Sequence, residues 1–159
     1  MKIRTGLGQD SHRFEAEKSG KALKLGGVIF ENEKALAGNS DADVVLHALC
    51  NAISGVTGHN VLGAITDSMC QAGISDSREY VKTALKSLGG MRITHVSVSL
   101  ECAKPKIAGH VGVMREALAE LLGLGVLDIG VTSTSGEGMT AFGKGEGIQA
   151  LVIVTAVED

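Results

Sequence analysis

The chain has 159 residues, enough for one domain with a substantial core, and its 44% hydrophobic content excludes a disordered chain. The net charge of -3, with no basic stretch interleaved with aromatics, excludes a nucleic-acid surface. No apolar run reaches the roughly 20 residues that span a bilayer, so no membrane partner is expected. Aromatics are only 3%, so the core is expected to consist of Leu, Ile, Val and Ala. Glycine occurs 22 times against a single proline, a balance suited to tight turns and close backbone approach. Cys50, Cys70 and Cys102 are odd in number and widely spaced, without a CxxC pair. That pattern excludes a zinc ribbon or a disulfide framework and leaves ordinary buried or half-buried thiols. The opening MKIRTGLGQD enters strand-like sequence with no apolar signal segment, so a cytoplasmic location is expected.

In chain order, Ile3, Thr5 and Leu7 alternate with Arg4, Gly6 and Gly8, which predicts a strand running into Asp10 and His12. A polar loop over 13–21 precedes short strands in 22–30, broken at Gly26-Gly27. A helix is expected next, capped by Asn39 or Ser40, with Asp41 and Asp43 in its first turn and its end near Gly55. Residues 55–75 lack regular pattern, and a structureless stretch of that length is usually functional or mobile. Ser75-Asp76 can cap a second helix reaching Leu88 before Gly89-Gly90. Ile93 to Leu100 forms a strand, and Val111 to Leu122 an amphipathic helix closed at Gly123. A strand over 128–134, a glycine-rich loop from Gly136 to Gly147 and a last strand, IQALVIVTAV, complete the chain. That last strand is apolar on both faces and is expected at the centre of a sheet or at an interface. The expected order is β-β-β-α-α-β-α-β-β, an α+β fold in which a single mixed sheet carries its helices on one face. Neither a repeat nor a linker divides it, so residues 1–159 are expected to form one domain.

Three constellations could carry chemistry. Residues two apart on a strand point to the same side, so Asp10 and His12 can converge, and His47 lies one helical turn after Asp43. Asp, His and His form a mixed O/N set that suits zinc and leaves a coordination position open. The same residues also fit a turn cap and a satisfied core histidine. Asn39-Ser40 at a helix N-terminus would offer an anion site, or simple capping. Thr132 to Glu137 is a run of hydroxyls ending in glycine and a carboxylate, able to meet phosphate and a hard cation, or to form a plain turn.

Taken together and in order, GLGQDSHRF at 6–14, SDADVVLHAL at 40–49, AKPKIAGH at 103–110 and STSGE…GKGEGI at 133–148 resemble the 2-C-methyl-D-erythritol 2,4-cyclodiphosphate synthase family, nearly end to end. The resemblance implies a homotrimer with active sites between adjacent subunits. It implies conversion of 4-diphosphocytidyl-2-C-methyl-D-erythritol 2-phosphate to the cyclic diphosphate with release of CMP. Asp10, His12 and His47 match the family's zinc ligands, one Zn²⁺ per subunit, and the set is not expected to include His59, His95 or His110. Asn39 and Ser40 match positions near the reacting phosphate, with Ser11 beside the metal ligands. Ser135 matches a transition-state hydroxyl, and Glu137 matches the ligand of a Mg²⁺ or Mn²⁺ on the diphosphate. Cys102, Ala103, Lys104, Pro105, Lys106, Ile107 and Ala108, with Thr134, Ser135, Gly136 and Glu137, match a cytidine pocket read largely through backbone. Ala141, Phe142 and Lys144 complete the matched set, with Glu146 near the trimer axis.

The chain also departs from the family pattern. Asn39 stands where histidine is usual, Asn51 and Val61 where aspartates are usual, and Gly138 where lysine is usual. The segment AITDSMC is one residue shorter than its counterpart. Val61, Leu62 and Gly63 are the expected sugar-side residues, and Asp67 is the expected replacement for the carboxylate lost at Val61, on a segment 57–75 expected to act as a mobile lid. A related phosphotransferase with altered substrate and a non-catalytic metal-binding trimer are the rival expectations.

Overall fold

A computed structural model describes residues 1–158. Strand β1 spans Lys2–Arg13, β2 Leu23–Leu25, β3 Val28–Phe30, β4 Arg92–Glu101, β5 Ile129–Thr134 and β6 Gly147–Glu158. Helix α1 spans Val44–Thr57, α2 Ala64–Gln71, α3 Ser77–Leu85 and α4 Val111–Leu122. The main sheet has the order β1-β6-β4-β5, with β6 antiparallel to both neighbours and β5 parallel to β4. A parallel pair needs a crossover, and α4 supplies it. The sheet is therefore mixed and the fold α+β, with β6 between β1 and β4 as its apolar pattern implies. Among the described residues, no helix is long and apolar enough to cross a membrane.

Strand β1 turns the opposite way from the face its apolar residues suggest. Gly6 and Gly8 face inward, while Ile3 and Leu7 are 60% and 64% exposed. The reason is the fit of α1. A methyl group at Gly6 would overlap the Ala52 carbonyl, and one at Gly8 would overlap the Ala48 carbonyl, so helix backbone lies directly on strand backbone. Gly55 continues this contact, because a side chain there would press on the Gly6 Cα. The helix therefore runs through Gly55 and ends at Thr57, with Gly58 in the left-handed conformation at φ 75°. Apolar nearly all round, α1 is buried except along the side of Asn51 and Gly55, as such a helix must be.

Two further expectations are corrected. The N-cap of α1 is Asp43, not Asn39 or Ser40, and neither Asp41 nor Asp43 lies within the helix. Residues 55–75 are not structureless: they contain the end of α1 and the whole of α2, whose entry is tied by a bond from the Gly63 N–H to Thr66 Oγ1. One more helix thus stands between β3 and β4 than the sequence pattern suggests. Helix α3 begins at its expected cap, Asp76, and its last turn through Leu88 is a 3-10 turn. All three cysteines are free, with Cys50 and Cys102 buried and Cys70 half-buried.

Asp43 joins the hairpin to α1. Its fully buried carboxylate accepts from the N–H groups of Gly26 (2.9 Å), Gly27 (2.7 Å), Val45 (3.1 Å) and Leu46 (3.1 Å). Gly26 and Gly27 form the two-residue turn between β2 and β3, with φ of 64° and 80°, which a hairpin this tight requires of both. Burial pushes the Asp43 carboxyl pKa up, and the donors at Gly27, Gly26 and Leu46 oppose that rise. Asp43→Ala strands all four donors, and urea unfolding is expected to show a loss of about 3 kcal/mol or more. A loss under about 1 kcal/mol, the worth of a single ordinary bond, would rule out this joining role.

Candidate metal centre

Asp10 and His12 extend the inward face of β1 past Gly6 and Gly8, and His47 leans toward them from α1. Asp10 Oδ2 lies 3.0 Å from His12 Nε2 and 3.1 Å from His47 Nδ1, and the two ring nitrogens are 3.2 Å apart. These three residues form a group able to hold a metal ion. Ligands on a tetrahedral ion at about 2.0–2.1 Å stand roughly 3.3 Å from one another, so this near-equilateral triangle has the right size for three sites of such an ion. The chemistry of the donors fits as well. His12 Nδ1 lies 2.8 Å from the Ala37 carbonyl, which can only accept, so Nδ1 carries the proton and Nε2 presents a lone pair. Burial alone would raise the Asp10 carboxyl pKa, but the imidazoles of His12 and His47 beside it outweigh that effect and bring the pKa down to about 2. The Asp10 carboxylate beside it in turn raises the pKa of His12 against the effect of burial. The Asp10 carboxylate is thus ionised at neutral pH and offers a cation a negatively charged ligand.

The triad opens onto a cleft lined by His12, Gly38, Asn39, Ser40, His47, Leu62, Thr66, Asp67, Cys70 and Tyr80. Asn39 and Ser40 stand on its rim, but not at a helix N-terminus, and the anion site expected there does not form. The N–H groups of Val45 and Leu46, which would have made it, are taken by Asp43. The loop is held instead by Lys21, whose Nζ donates to the carbonyls of Gly38 (3.0 Å) and Ser40 (3.4 Å). Asp67 is exposed on the first turn of α2 and on the cleft wall. Val61 is 1% exposed within the core, so its side chain does not reach the cleft, while Leu62 does. Gly63 caps α2.

A second cleft lies where the parallel strands β4 and β5 end side by side, lined by Cys102, Pro105, Lys106, Ile107, Ala108, Ser133, Thr134 and Ser135. The Cys102 N–H donates to the Thr134 carbonyl, and the Ala103 N–H to the Phe142 carbonyl, so the 102–108 loop is held by backbone. Burial pushes the Cys102 thiol up to about 11, which makes it inert at neutral pH. Lys104 is exposed beside it. Ser135 Oγ accepts from the Glu137 N–H at 3.4 Å, and the exposed Glu137 is left-handed at φ 51° next to Gly136 at φ 72°. Ser11, Ala141 and Phe142 line a third cleft with Arg13 and Glu146, and the Lys144 N–H donates to the Thr140 carbonyl. Within one chain, then, the triad and the 102–137 residues line different clefts.

Sequence reasoning passed over Lys21, Cys70, Ser77 and Tyr80, which surround the triad. Their spacing from Asp10 and His47 has no period, so only the folded chain brings them together.

The YgbB family model matches residues 3–157. The chain is 45% identical over 157 residues to the 2-C-methyl-D-erythritol 2,4-cyclodiphosphate synthase of Chlamydia muridarum, covering 98% of this chain and 88% of that one. Among solved structures, it is similar to the bifunctional IspDF of Campylobacter jejuni, with a TM-score of 0.88 and 28% identity. That match covers 98% of this chain, which spans only 42% of the bifunctional protein's length. It is also similar to a 2C-methyl-D-erythritol-2,4-cyclodiphosphate synthase in its CDP-bound form, with a TM-score of 0.79, 27% identity and coverage of 95% and 98%.

Losing one of three ligands should abolish tight metal binding. After dialysis against a mixture of divalent transition metals, His47→Ala is expected to retain less than about a tenth of the wild-type content by elemental analysis. His59→Ala, His95→Ala and His110→Ala should retain all of it. Wild-type content in His47→Ala would overturn the assignment.

Proposed function

The chain belongs to the YgbB family, and from that premise we propose that it is a cyclodiphosphate synthase of non-mevalonate isoprenoid biosynthesis. It converts 4-diphosphocytidyl-2-C-methyl-D-erythritol 2-phosphate to 2-C-methyl-D-erythritol 2,4-cyclodiphosphate and CMP. The observation that carries this reading is the triangle of Asp10, His12 and His47 ligand atoms at the mouth of a cleft. An oxygen of the 2-phosphate attacks the β-phosphorus, the bond from that phosphorus to the bridging oxygen breaks, and CMP leaves with that oxygen.

Such a transfer asks the protein to align the two ends of a flexible substrate and to neutralise charge on oxygens, with no covalent step of its own. Asp10, His12 and His47 would hold Zn²⁺, and Glu137 would hold Mg²⁺ or Mn²⁺, ions that supply Lewis-acid stabilisation of phosphate charge. Asn39 donates its amide N–H to a phosphate oxygen, a neutral bond weaker than a protonated histidine would make. Ser40 stands beside it on the cleft rim, and Ser135 offers its hydroxyl to the transferring phosphate. The backbone of 102–108 and Thr134 to Glu137 hold the cytidine, in keeping with the CDP-bound relative, and Lys144 adds positive charge near phosphate. Asp67, on the cleft wall, accepts the sugar hydroxyls that Val61 cannot.

A homotrimer completes the site. Ile3 and Leu7 on β1, with Leu151 and Ile153 on β6, put apolar side chains on the outer face of the sheet, and Leu7 and Ile153 are paired directly. An apolar sheet face of this kind is buried by association. Packing three copies on that face sets the triad cleft of one subunit against the 102–137 cleft of the next. The whole chain then acts as one catalytic domain, in the cytoplasm.

The purified protein should release CMP from the methylerythritol substrate, and light scattering should give the active species a trimer's mass. Glu137→Gln, which keeps shape and removes charge, is expected to slow CMP release by about 10²-fold or more without altering zinc content. A fully active monomer, or unchanged turnover of Glu137→Gln at limiting Mg²⁺, would contradict the reading. Turnover of simple diphosphates in place of this substrate would favour a related phosphotransferase, a reading that the buried Val61 and neutral Asn39 keep alive.

Asp67→Asn should raise KM for the methylerythritol substrate about ten-fold or more, since a hydroxyl bond to a charged acceptor is worth about 1.5–3 kcal/mol. Zinc content should stay at the wild-type level. Wild-type KM in this variant would remove Asp67 from the sugar contacts.

A further inference from the structure

We propose that Ser77 and Asp41 are positioning residues for the metal centre, a relay that fixes the tautomer of His47 and aims its Nδ1 lone pair at the ion. The inference rests on the reading of Asp10, His12 and His47 as metal ligands. Neither residue lines the substrate cleft described above.

The argument follows the hydrogens from the outside inward. The Asp41 carboxylate can only accept. Its Oδ2 takes the Ser77 N–H at 3.1 Å and its Oδ1 takes the Ser77 hydroxyl proton. A hydroxyl has one proton, so Ser77 Oγ has only lone pairs left to offer. Those lone pairs face His47 Nε2 at 2.9 Å. Nε2 must then carry a hydrogen, and in the neutral ring the free lone pair falls on Nδ1. Nδ1 is the atom that completes the triangle with Asp10 Oδ2 and His12 Nε2.

The relay is held firmly at each joint. Ser77 is wholly buried, and the Asp41 side chain is 9% exposed, so water has little access to replace either. The Asp41 N–H donates to the Ser75 carbonyl at 2.9 Å, and Asp41 Oδ1 also accepts the Asp43 N–H at 3.2 Å. Lys24 Nζ stands 3.7 Å from Oδ2 as its countercharge. Ser77 is the first residue of α3, so the N-terminal end of that helix, where negative charge is favourable, receives Asp41. Ser40 Oγ is the other oxygen near His47 Nε2, at 3.4 Å, and it already accepts the Ala42 N–H. Ser77 is thus the nearer partner.

Without Ser77, the His47 ring is free to take the other tautomer or to rotate, and an Nδ1 proton would point at the place of the ion. Partners that orient a ligating histidine are worth about 10–100-fold in metal affinity. His12 needs no such side chain, because a backbone carbonyl performs the same task.

The test is Zn²⁺ affinity by chelator competition, with the thermal midpoint of the metal-free protein measured alongside. Ser77→Ala should bind Zn²⁺ about 10–100-fold more weakly while still unfolding cooperatively, and Ser77→Thr, which keeps the hydroxyl, should recover most of the loss. Long-range 1H–15N correlation spectra of the zinc-loaded wild type should show His47 protonated on Nε2 and coordinated through Nδ1. Wild-type affinity in a folded Ser77→Ala overturns the relay. So does coordination of His47 through Nε2, a result that decides the matter even where Ser77→Ala does not fold. If wild type binds no Zn²⁺, or His47→Ala binds as wild type does, it is the metal reading that fails, and the relay fails with it.

Discussion

The contact on which the rest of the structure depends is that of two backbones, α1 lying on β1 at Gly6 and Gly8. Every second residue of a strand shares a face, so the face that carries these glycines also carries Asp10 and His12. Two residues of strand advance about 6.7 Å and four residues of helix about 6 Å, so the steps nearly match. Gly6 sits on Ala52 and Gly8 on Ala48, and the next step places Asp10 near the start of α1. Helical side chains lean toward the N-terminus, and His47, one residue before Ala48, therefore leans toward Asp10 and His12. A larger residue at either glycine would lift the helix from the strand and pull the third ligand away from the first two. The metal triangle is a by-product of a packing distance that only glycine permits.

Around this contact, charge is distributed by a short turn. Asp41 and Asp43 are separated by Ala42, whose left-handed φ of 56° costs an alanine roughly 1 kcal/mol or more. The turn sends the two carboxylates to different neighbours. Asp43 faces the hairpin and the first turn of α1 and is satisfied by four N–H groups, while Asp41 faces α3. Hydrogen bonds to ionised acceptors are worth about 1.5–3 kcal/mol each, so the bonds made on either side exceed the cost of the turn. The same turn brings His47 within reach of the end of α3, and so links two helices to one ligand.

Much of this was legible in the sequence. The D-x-H pair on a strand, the helix that carries His47, the cap at Asp76, the Gly26-Gly27 break and the central last strand all follow from local spacing and turn chemistry. What was not legible has physical causes. Period-two alternation marks two faces without saying which one is buried. In β1, Ile3 and Leu7 look like the core face because glycine offers no apolar surface, yet glycine is what lets α1 in. The cap of α1 was misplaced because Asn39, Ser40, Asp41 and Asp43 are all competent caps, and the choice is made by Gly26 and Gly27, distant in sequence. Helix α2 is hard to read because it is only 8 residues long and holds Thr66, Asp67, Ser68 and Cys70, weak helix formers, and its entry depends on one threonine hydroxyl.

The remaining blind spots coincide with backbone strain. Asn32, Ala42 and Glu137 are the non-glycine residues with positive φ among the described residues. Asparagine adopts that conformation readily, but alanine and glutamate do not, and nothing in their neighbours announces it. Such positions persist only where surrounding bonds over-determine them. At Ala42 the bonds are those of Asp41, Asp43 and Ser40. At Glu137 the constraint is a chain of close approaches: a side chain at Gly136 would strike the Glu101 carboxylate, which is itself bonded to Thr140, and the Ser135 hydroxyl takes the Glu137 N–H. Both strained residues stand where a carboxylate must be aimed, one between buried Asp43 and half-buried Asp41 and the other on an acid held out to solvent. Local preference is set aside where direction matters more, which is why a reading by local preference is least reliable at the groups nearest the chemistry.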